Sequence, residues 1–256
     1  MSGRINTSRG IAYLLSAVPG ALTAGNQTST ATGAITALAI TGSVLRMNNA
    51  TDATIHGIAA GVDGQLLVIQ SIGAGNVLLM SQSATETEAT NRLQNFFDAG
   101  ATPLAAGKGT AIYQYDATTA RWRIIAHEQG DWISITFAAG DYTGNASMTW
   151  TVASGDVAAN RYFIRGATMR WAVRVATSTV GGTPNTSLQV APPSGYTLAS
   201  YGVSPLALVT DNGTSQVGRV LYTNSVMTFR STVASANWTA STDLTNVEGE
   251  LSFRLS

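Results

Sequence analysis

Three short apolar runs constrain the fold of this chain more than any other feature. They occupy residues 66–69, 77–80 and 112–115, and each is bounded by Gly, Asp, Asn or Ser. A run of this length is too short for a helix and is typical of a buried strand that ends at a tight turn. Residues 115–122 place an Asp-led loop between two aromatic-bearing segments, which predicts a β-hairpin.

The rest of the first half predicts a β domain over residues 34–130. Residues 35–40 and 44–48 are two further strand candidates. Residues 86–97 predict one short helix, because Thr85 and Glu88 have the spacing of a capping box and Leu93, Phe96 and Phe97 would share one face. We therefore expect a first antiparallel β domain that contains a single short helix.

The second half, residues 131–256, alternates between apolar and polar side chains. Apolar residues recur at every second position in four segments, around residues 133–137, 148–152, 169–175 and 251–255. A period of two with one apolar face predicts antiparallel strands that cover a core on one side only. The number and spacing of these strands predict a β-sandwich or jelly-roll-like domain, with Trp171 pointing into its core.

Composition limits the classes of function. Charged residues make up 11% of the 256 residues and the formal net charge is zero, so there is no basic footprint for nucleic acid. No apolar stretch approaches the length of a membrane span, so we expect no membrane insertion. Cysteine is absent, which excludes a disulfide framework and thiolate chemistry. Such a lightly charged surface favours close packing between subunits.

The N-terminal residues 1–33 are rich in Ser, Thr, Ala and Gly and low in charge. A segment of this composition does not build a core of its own. We interpret it as an arm that anchors the chain to a neighbouring subunit or another protein. The alternative interpretation is an arm that folds back on its own domain.

Residues with catalytic or metal-binding potential are few. His56 and His127 lie apart from other ligand types, so we expect both to be structural or at the surface, and we expect no metal or cofactor. Glu248 and Glu250 lie two apart on one strand, and a carboxylate pair would suit glycoside hydrolysis. We favour a polar face on which Glu250 pairs with neighbouring arginines. We predict no catalytic residue and no enzymatic activity.

Two groups of residues are candidates for contacts with partners. Arg170 and Arg174 share the outward face of one predicted strand and could make inter-subunit or surface contacts, since arginine is favoured at interfaces. Tyr196, Tyr201 and Trp238 lie in or beside predicted loops, where aromatic rings could bind glycans. The alternatives are solvated strand polarity for the arginines and packing beneath loops for the aromatic residues.

Both halves resemble domains of bacteriophage virion-surface proteins. Residues 55–125 follow the order Gly-x-Asp-Gly-Gln, apolar run, Gly-x-Gly-Asn, apolar run, Asn-Arg, Tyr-x-Tyr-Asp, Arg-Trp-Arg, which resembles a domain common in phage fibre proteins. Residues 131–256 are similar to C-terminal domains of tail-fibre proteins. This second resemblance rests on Met169-Arg-Trp, residues 179–186, Pro193-Ser-Gly-Tyr196-Thr, Asp211-Asn-Gly-Thr214, residues 237–242 and Glu248-Gly-Glu-Leu-Ser-Phe253.

The resemblance implies a homotrimer in the virion, at the tail or capsid surface. We expect a non-enzymatic fibre, spike or knob. The arm would anchor it to other virion proteins, the first domain would form the trimer body, and the second would project towards host-surface glycan. One alternative is a capsid decoration protein that clamps shell subunits. A polysaccharide depolymerase is a weaker alternative, because such enzymes are usually built on repetitive β-solenoids and no repeat of that kind is visible.

Overall fold

The computed structural model describes residues 25–98, 100–196, 205–223 and 225–255. These residues are mainly β-strand and include no helix of seven residues or more, so the predicted β-rich fold class is confirmed. The chain divides into two compact units between Asp131 and Trp132. Most of the predicted arm, residues 1–24, lies outside the described residues.

The first unit contains ten described strands in two sheets. The strands are β1 (Asn26–Ser29), β2 (Gly33–Ile35), β3 (Val44–Met47), β4 (Ala53–Ile55), β5 (Leu66–Ser71), β6 (Val77–Met80), β7 (Leu93–Gln94), β8 (Ala101–Leu104), β9 (Thr110–Asp116) and β10 (Arg121–Glu128). One sheet has the order β1-β3-β5-β9-β10-β7 and the other has the order β2-β4-β6-β8. All three apolar runs lie in strands, as predicted.

The first six strands of this unit wind as a short parallel solenoid. Successive strands alternate between the two sheets, and β1, β3 and β5 pair in parallel in one sheet. In the other sheet β2, β4 and β6 also pair in parallel. The prediction of an antiparallel first domain is therefore wrong for this part of the chain. Antiparallel pairing begins only where β8 joins β6 and β9 joins β5.

The coils of this solenoid leave no repeat in the sequence because they are unequal. Asn26 pairs with Val44, and Val44 pairs with Val68, so the second coil is longer than the first. Equivalent positions also carry unlike residues, such as Asn26 and Val44. The backbone therefore forms a short solenoid although the sequence contains no visible repeat.

The core of the first unit lies between its two sheets. Side chains from both sheets are fully buried there, among them Leu45, Leu67 and Ile69 from one sheet and Ile55 and Leu79 from the other. The predicted hairpin joins β9 to β10, with Arg121 opposite Asp116. The carboxylate of Asp116 accepts hydrogen bonds from the backbone N–H groups of the two loop threonines, which closes the turn.

The predicted helix over residues 86–97 does not form. Only Ala89–Asn91 makes a single 3-10 turn, and Leu93–Gln94 instead joins β10 as a parallel strand. The reason lies in Glu86, which is buried rather than exposed on a helix surface. Its carboxylate accepts the backbone N–H of Ala37 at 2.6 Å and that of Glu88 at 3.0 Å. These bonds fix an irregular segment against the solenoid.

Gly57 makes room for this buried carboxylate. A Cβ atom at position 57 would collide with the side chain of Glu86. The close approach requires a residue without a side chain at this point of the coil.

We expect Glu86→Ala to destabilise the protein by about 1–3 kcal/mol, because two backbone N–H groups lose a charged acceptor. Chemical unfolding measures this change. Glu88→Ala is the matched control, since Glu88 is exposed two residues away and its loss should change stability by less than about 0.5 kcal/mol. Equal effects of the two substitutions would contradict the role of Glu86.

In the described residues, the second unit is one ten-stranded sheet in which every pairing is antiparallel. Its strands are β11 (Ile133–Ser134), β12 (Tyr142–Gly144), β13 (Met148–Thr151), β14 (Val157–Arg165), β15 (Thr168–Gly182), β16 (Leu188–Val190), β17 (Leu206–Asp211), β18 (Thr214–Thr223), β19 (Val226–Arg230) and β20 (Ser241–Arg254). The order is β11-β14-β15-β20-β17-β18-β19-β16-β12, and β13 pairs with β15.

This sheet curls so that strands far apart in its order face each other. The amide of Asn160 in β14 donates to the hydroxyl of Tyr142 in β12 at 3.1 Å, although these strands lie near opposite ends of the order. A Cβ atom at Gly249 would lie 2.9 Å from the ring of Phe229. The two halves of the sheet therefore cover one core, as the layers of a β-sandwich do.

The predicted alternation is confirmed along the central strands. In β15, Met169, Trp171, Val173 and Val175 are buried, and in β20 Leu251 and Phe253 are buried. The register places Trp171 opposite Leu251. The indole N–H of Trp171 donates to Asn160 at 2.8 Å, so the ring has both apolar packing and a hydrogen-bond partner.

We expect Trp171→Ala to destabilise the second unit by about 3–5 kcal/mol, the usual cost of removing a large buried aromatic side chain. Thermal or denaturant unfolding measures the loss. Arg170→Ala at the neighbouring outward position is the matched control, and its effect should be below about 1 kcal/mol. Unchanged stability in Trp171→Ala would overturn the inward assignment of this strand.

Candidate interaction surface

The outer face of β14, β15 and β20 carries most of the charge of the second unit. Arg170 and Arg174 are exposed on β15, on the face away from the core, as the alternation predicts. Glu248 and Glu250 are exposed on the neighbouring strand β20. The role of the two arginines as inter-subunit or surface contacts stays a prediction.

The two glutamates are paired with these arginines across the strands. The guanidinium of Arg170 donates to Oε1 of Glu250 through Nε at 2.8 Å and Nη2 at 2.6 Å. Arg174 lies 3.5 Å from Glu248. The pairing of Glu250 with an arginine is confirmed, and it matches the polar-face interpretation of these acids. Exposed pairs of this kind contribute about 0–1 kcal/mol each.

Trp132 is a part of this surface that the sequence analysis missed. Its half-buried ring lies 5.0 Å from the guanidinium carbon of Arg161 and 5.4 Å from that of Arg170. The ring of Phe163 is 6.0 Å away. No periodic pattern marks Trp132, because it precedes a strand of only two residues. Its contacts with Arg161, Arg170 and Phe163 on other strands, rather than its neighbours in sequence, show that it belongs to this surface.

Two shallow grooves cross the outer face between the long side chains. One, of about 370 Å³, passes over small residues that include Ala172 and Gly249 and is flanked by Arg161 and Glu250. Another, of about 310 Å³, is lined by Phe163, Arg165, Thr168, Arg170 and Ser252. The alternation of long and small residues along three strands creates both grooves.

An apolar cluster lies further along the same face of the sheet. Leu206 is 66% exposed, Leu208 is 62% exposed and Val217 is 54% exposed. Leu208 pairs with Val217 on one side and with Glu248 on the other. Adjacent exposed side chains of this size on one strand pair form a patch, which is more informative than scattered apolar residues.

The three loop aromatics do not form the set that was predicted. Trp238 is 2% exposed, so its ring cannot stack on a glycan from solvent, and its prediction as a receptor contact is wrong. Its backbone N–H donates to Asn185, and the next residue donates to Asp211, which holds the segment down. Tyr201 lies outside the described residues.

Tyr196 is partly buried against a neighbouring tyrosine. The two rings, of Tyr196 and Tyr162, lie 5.5 Å apart in an edge-to-face arrangement. Burial, and then the proximity of Tyr162, raises the pKa of Tyr196 well above its ordinary value. The phenol is therefore neutral at physiological pH. Packing of this kind matches the alternative interpretation of the loop aromatics more closely than a receptor contact.

Both histidines make hydrogen bonds within the first unit. Nδ1 of His56 lies 2.7 Å from the hydroxyl of Ser83, and Nε2 of His127 lies 2.8 Å from the carbonyl oxygen of Pro103. Among the described residues, no group of three His, Asp or Glu side chains could hold a metal ion. The same residues contain no helix of the length and hydropathy that crossing a bilayer requires.

Comparison with known proteins gives no family assignment. No family model matches the chain, and no curated protein matches it significantly.

The partly buried imidazole of His127 should make stability depend on pH. Burial is the largest cause of its lowered pKa, and it outweighs the opposite effects of the Pro103 carbonyl and of Glu128. Since an unfolded histidine has a pKa of about 6.5, the unfolded state binds a proton that the folded state does not when the pH falls below this value. We expect stability to fall from pH 7.5 to pH 5.5.

His127→Gln provides the control, because other groups also titrate in this range. The free energy of unfolding of the wild-type protein should fall more steeply with decreasing pH than that of the variant. Denaturant titrations at pH 7.5 and pH 5.5 give this free energy for both proteins. An equal decrease in the wild type and in His127→Gln would contradict a histidine that is kept neutral by the fold.

Proposed function

We propose that this chain is a non-enzymatic structural protein of a bacteriophage particle. In this proposal three copies assemble into a fibre, spike or knob. Residues 26–29 and 33 of the predicted arm pair with strands of the first unit, so the residues that hold the assembly to other capsid or tail proteins are those that precede β1. The assembly contributes to attachment to host-surface glycan. The resemblance of residues 55–125 and 131–256 to virion-surface domains supports this proposal, and the confirmed β-rich fold agrees with it.

The exposed apolar cluster of Leu206, Leu208 and Val217 is the single observation that carries the proposal. In an isolated chain these side chains would stay in water, at a cost of about 25 cal/mol for each Å² of apolar surface. Packing against another copy would remove that surface from water. A cluster of this kind on a regular sheet face fits the apolar centre of a subunit interface.

The charged residues beside the cluster support self-association. Arg170 and Arg174 are already paired with Glu250 and Glu248, and Arg219, which lies opposite Leu206, donates to the hydroxyl of Ser235. A second copy that covers the apolar cluster would therefore meet polar and charged side chains at its border, which matches the apolar centre and polar rim of subunit interfaces.

The mass of the protein in solution tests this assignment. Light scattering after size-exclusion chromatography should give three times the 26.5 kDa mass of the chain. We expect the double variant Leu206→Asp/Leu208→Asp to dissociate at protein concentrations at which the wild type stays assembled, because new charges would be buried at the contact. Val233→Asp is the control, since Val233 is 52% exposed but lies outside the cluster.

A monomeric wild-type protein at micromolar concentration would contradict the trimer. Equal dissociation by the cluster and control variants would contradict the location of the contact. A map of the intact particle then separates the two structural functions: a projecting position supports attachment, and a position between shell subunits would instead show a decoration protein.

A further inference from the structure

We infer that the outer face around Trp132, Arg161 and Arg165 binds an acidic saccharide, one that carries carboxylate or sulfate groups. This inference rests on the proposed attachment function for the source of the saccharide. The site itself follows from three observations: a partly exposed aromatic ring just before β11, an excess of arginine on β14, β15 and β20, and a hydroxyl-bearing groove beside them.

Trp132 differs from the other tryptophans in its accessibility. Trp122, Trp150, Trp171 and Trp238 are all buried, whereas Trp132 is partly exposed. A sugar ring presents an apolar face of C–H groups that packs on an indole, while its hydroxyls point to the sides. Trp132 is therefore the tryptophan that a sugar can reach; the guanidinium groups of Arg161 and Arg170 lie over its ring, so a sugar would contact the ring beside them.

The arginines around Trp132 exceed the acids that could neutralise them. Five exposed arginines lie on the outer face of β14, β15 and β20: Arg161, Arg165, Arg170, Arg174 and Arg254. Glu248 and Glu250 face them from β20, and each is already paired with Arg174 or Arg170, while Asp243 near the start of β20 accepts a hydrogen bond from Thr179. Within the described residues Arg161, Arg165 and Arg254 have no ion pair. A chain with zero net charge thus concentrates positive charge on one face.

The ion pair of Glu250 organises this site rather than cancelling it. Two guanidinium N–H groups of Arg170 bind one carboxylate oxygen, which fixes the guanidinium near the ring of Trp132. Since Arg170 is held, its ordering costs little when a ligand arrives. Arg161 and Arg165 are then available for charge-assisted hydrogen bonds to carboxylate or sulfate oxygens.

The adjacent groove supplies the remaining contacts that a saccharide needs. It has a volume of about 310 Å³ and is lined by Phe163, Arg165, Thr168, Arg170 and Ser252. Trp132 lies beside it, since its ring is 6.0 Å from that of Phe163 and 5.4 Å from the guanidinium carbon of Arg170. Phe163 gives an apolar floor, and the hydroxyls of Thr168 and Ser252 can exchange hydrogen bonds with sugar hydroxyls. Arg165 stands at its edge.

This combination favours a saccharide over a nucleic acid. A nucleic-acid backbone carries a phosphate at every nucleotide and requires a continuous positive track. Here Glu248 and Glu250 interrupt the arginines along the face. A saccharide with spaced acidic groups and many hydroxyls fits alternating arginine, hydroxyl and aromatic positions without that conflict.

The quenching of tryptophan fluorescence by acrylamide tests the site directly, because four of the five tryptophans are buried. The probes are an oligogalacturonate, a maltooligosaccharide of equal length as the neutral comparison, and a single-stranded oligothymidylate. We expect the oligogalacturonate to protect one tryptophan from quenching, with a Kd of about 1 mM or tighter. The protection should weaken with added salt, since exposed charges are screened.

Variants locate the binding. Trp132→Phe should remove the quenchable component, and Arg165→Ala should weaken oligogalacturonate binding at least tenfold. Arg123→Ala is the matched control, because Arg123 is an exposed arginine of the first unit and should leave binding unchanged. Circular dichroism verifies that each variant is folded.

Other results would overturn the inference. Equal protection by the neutral sugar, protection by oligothymidylate alone, or no protection by any probe would each do so, and so would equal effects of the two arginine variants. A trimer that shows no protection would sink the site but leave the proposed virion assembly standing. A monomer that binds oligogalacturonate would support the site but contradict the proposed trimer.

Discussion

The pairing register of β15 with β20 is the constraint on which the second unit depends. Trp171 lies opposite Leu251 on the inner face, and Arg170 lies opposite Ser252 on the outer face. Because side chains alternate strictly, a slip of one residue would carry Arg170 into the core and Trp171 into water. Burying an unpaired guanidinium costs several kcal/mol, so the core fixes the register strongly. The positions of the surface arginines are therefore a consequence of core packing, and the surface needs no separate folding signal.

The first unit shows which part of a β fold the sequence determines and which part it leaves open. The apolar runs at residues 66–69 and 77–80 predicted strands correctly, because a short run bounded by turn residues has few other stable conformations. The direction of pairing was predicted wrongly. Alternation has the same period in parallel and antiparallel strands, so it does not determine the direction of pairing. The solenoid arises because each strand joins the sheet that contains the strand two positions before it in the chain. Unequal coils hide that winding from any search for a repeat.

The candidate surface was also predictable from the sequence only in part. Alternation along one strand was enough to place Arg170 and Arg174 outside the core. Glu86, by contrast, lies in a segment for which the sequence predicted a helix. Its carboxylate instead accepts a hydrogen bond from the N–H of Ala37, which is 49 positions away in the chain. Only the tertiary structure distinguishes Trp132 from Trp238. Both are tryptophans beside turns, but Trp132 is partly exposed and Trp238 is 2% exposed. Local pattern gives the face of a residue on a strand, whereas exposure of a loop residue depends on what the fold lays over it.

A shallow acidic-saccharide site and a self-associating sheet face would support each other energetically. The grooves on the outer face are open, so a single saccharide segment would stay largely hydrated and bind weakly. Three such sites held in one assembly convert the second and third contacts into intramolecular events, which can raise the overall affinity by roughly 10² to 10⁴ without any new contact. Weak single sites also release individually, so an assembly could move along a polymeric surface before it is fixed. The exposed leucines that favour association would then set the strength of attachment as directly as the arginines do, because a monomer with the same site would dissociate after each contact.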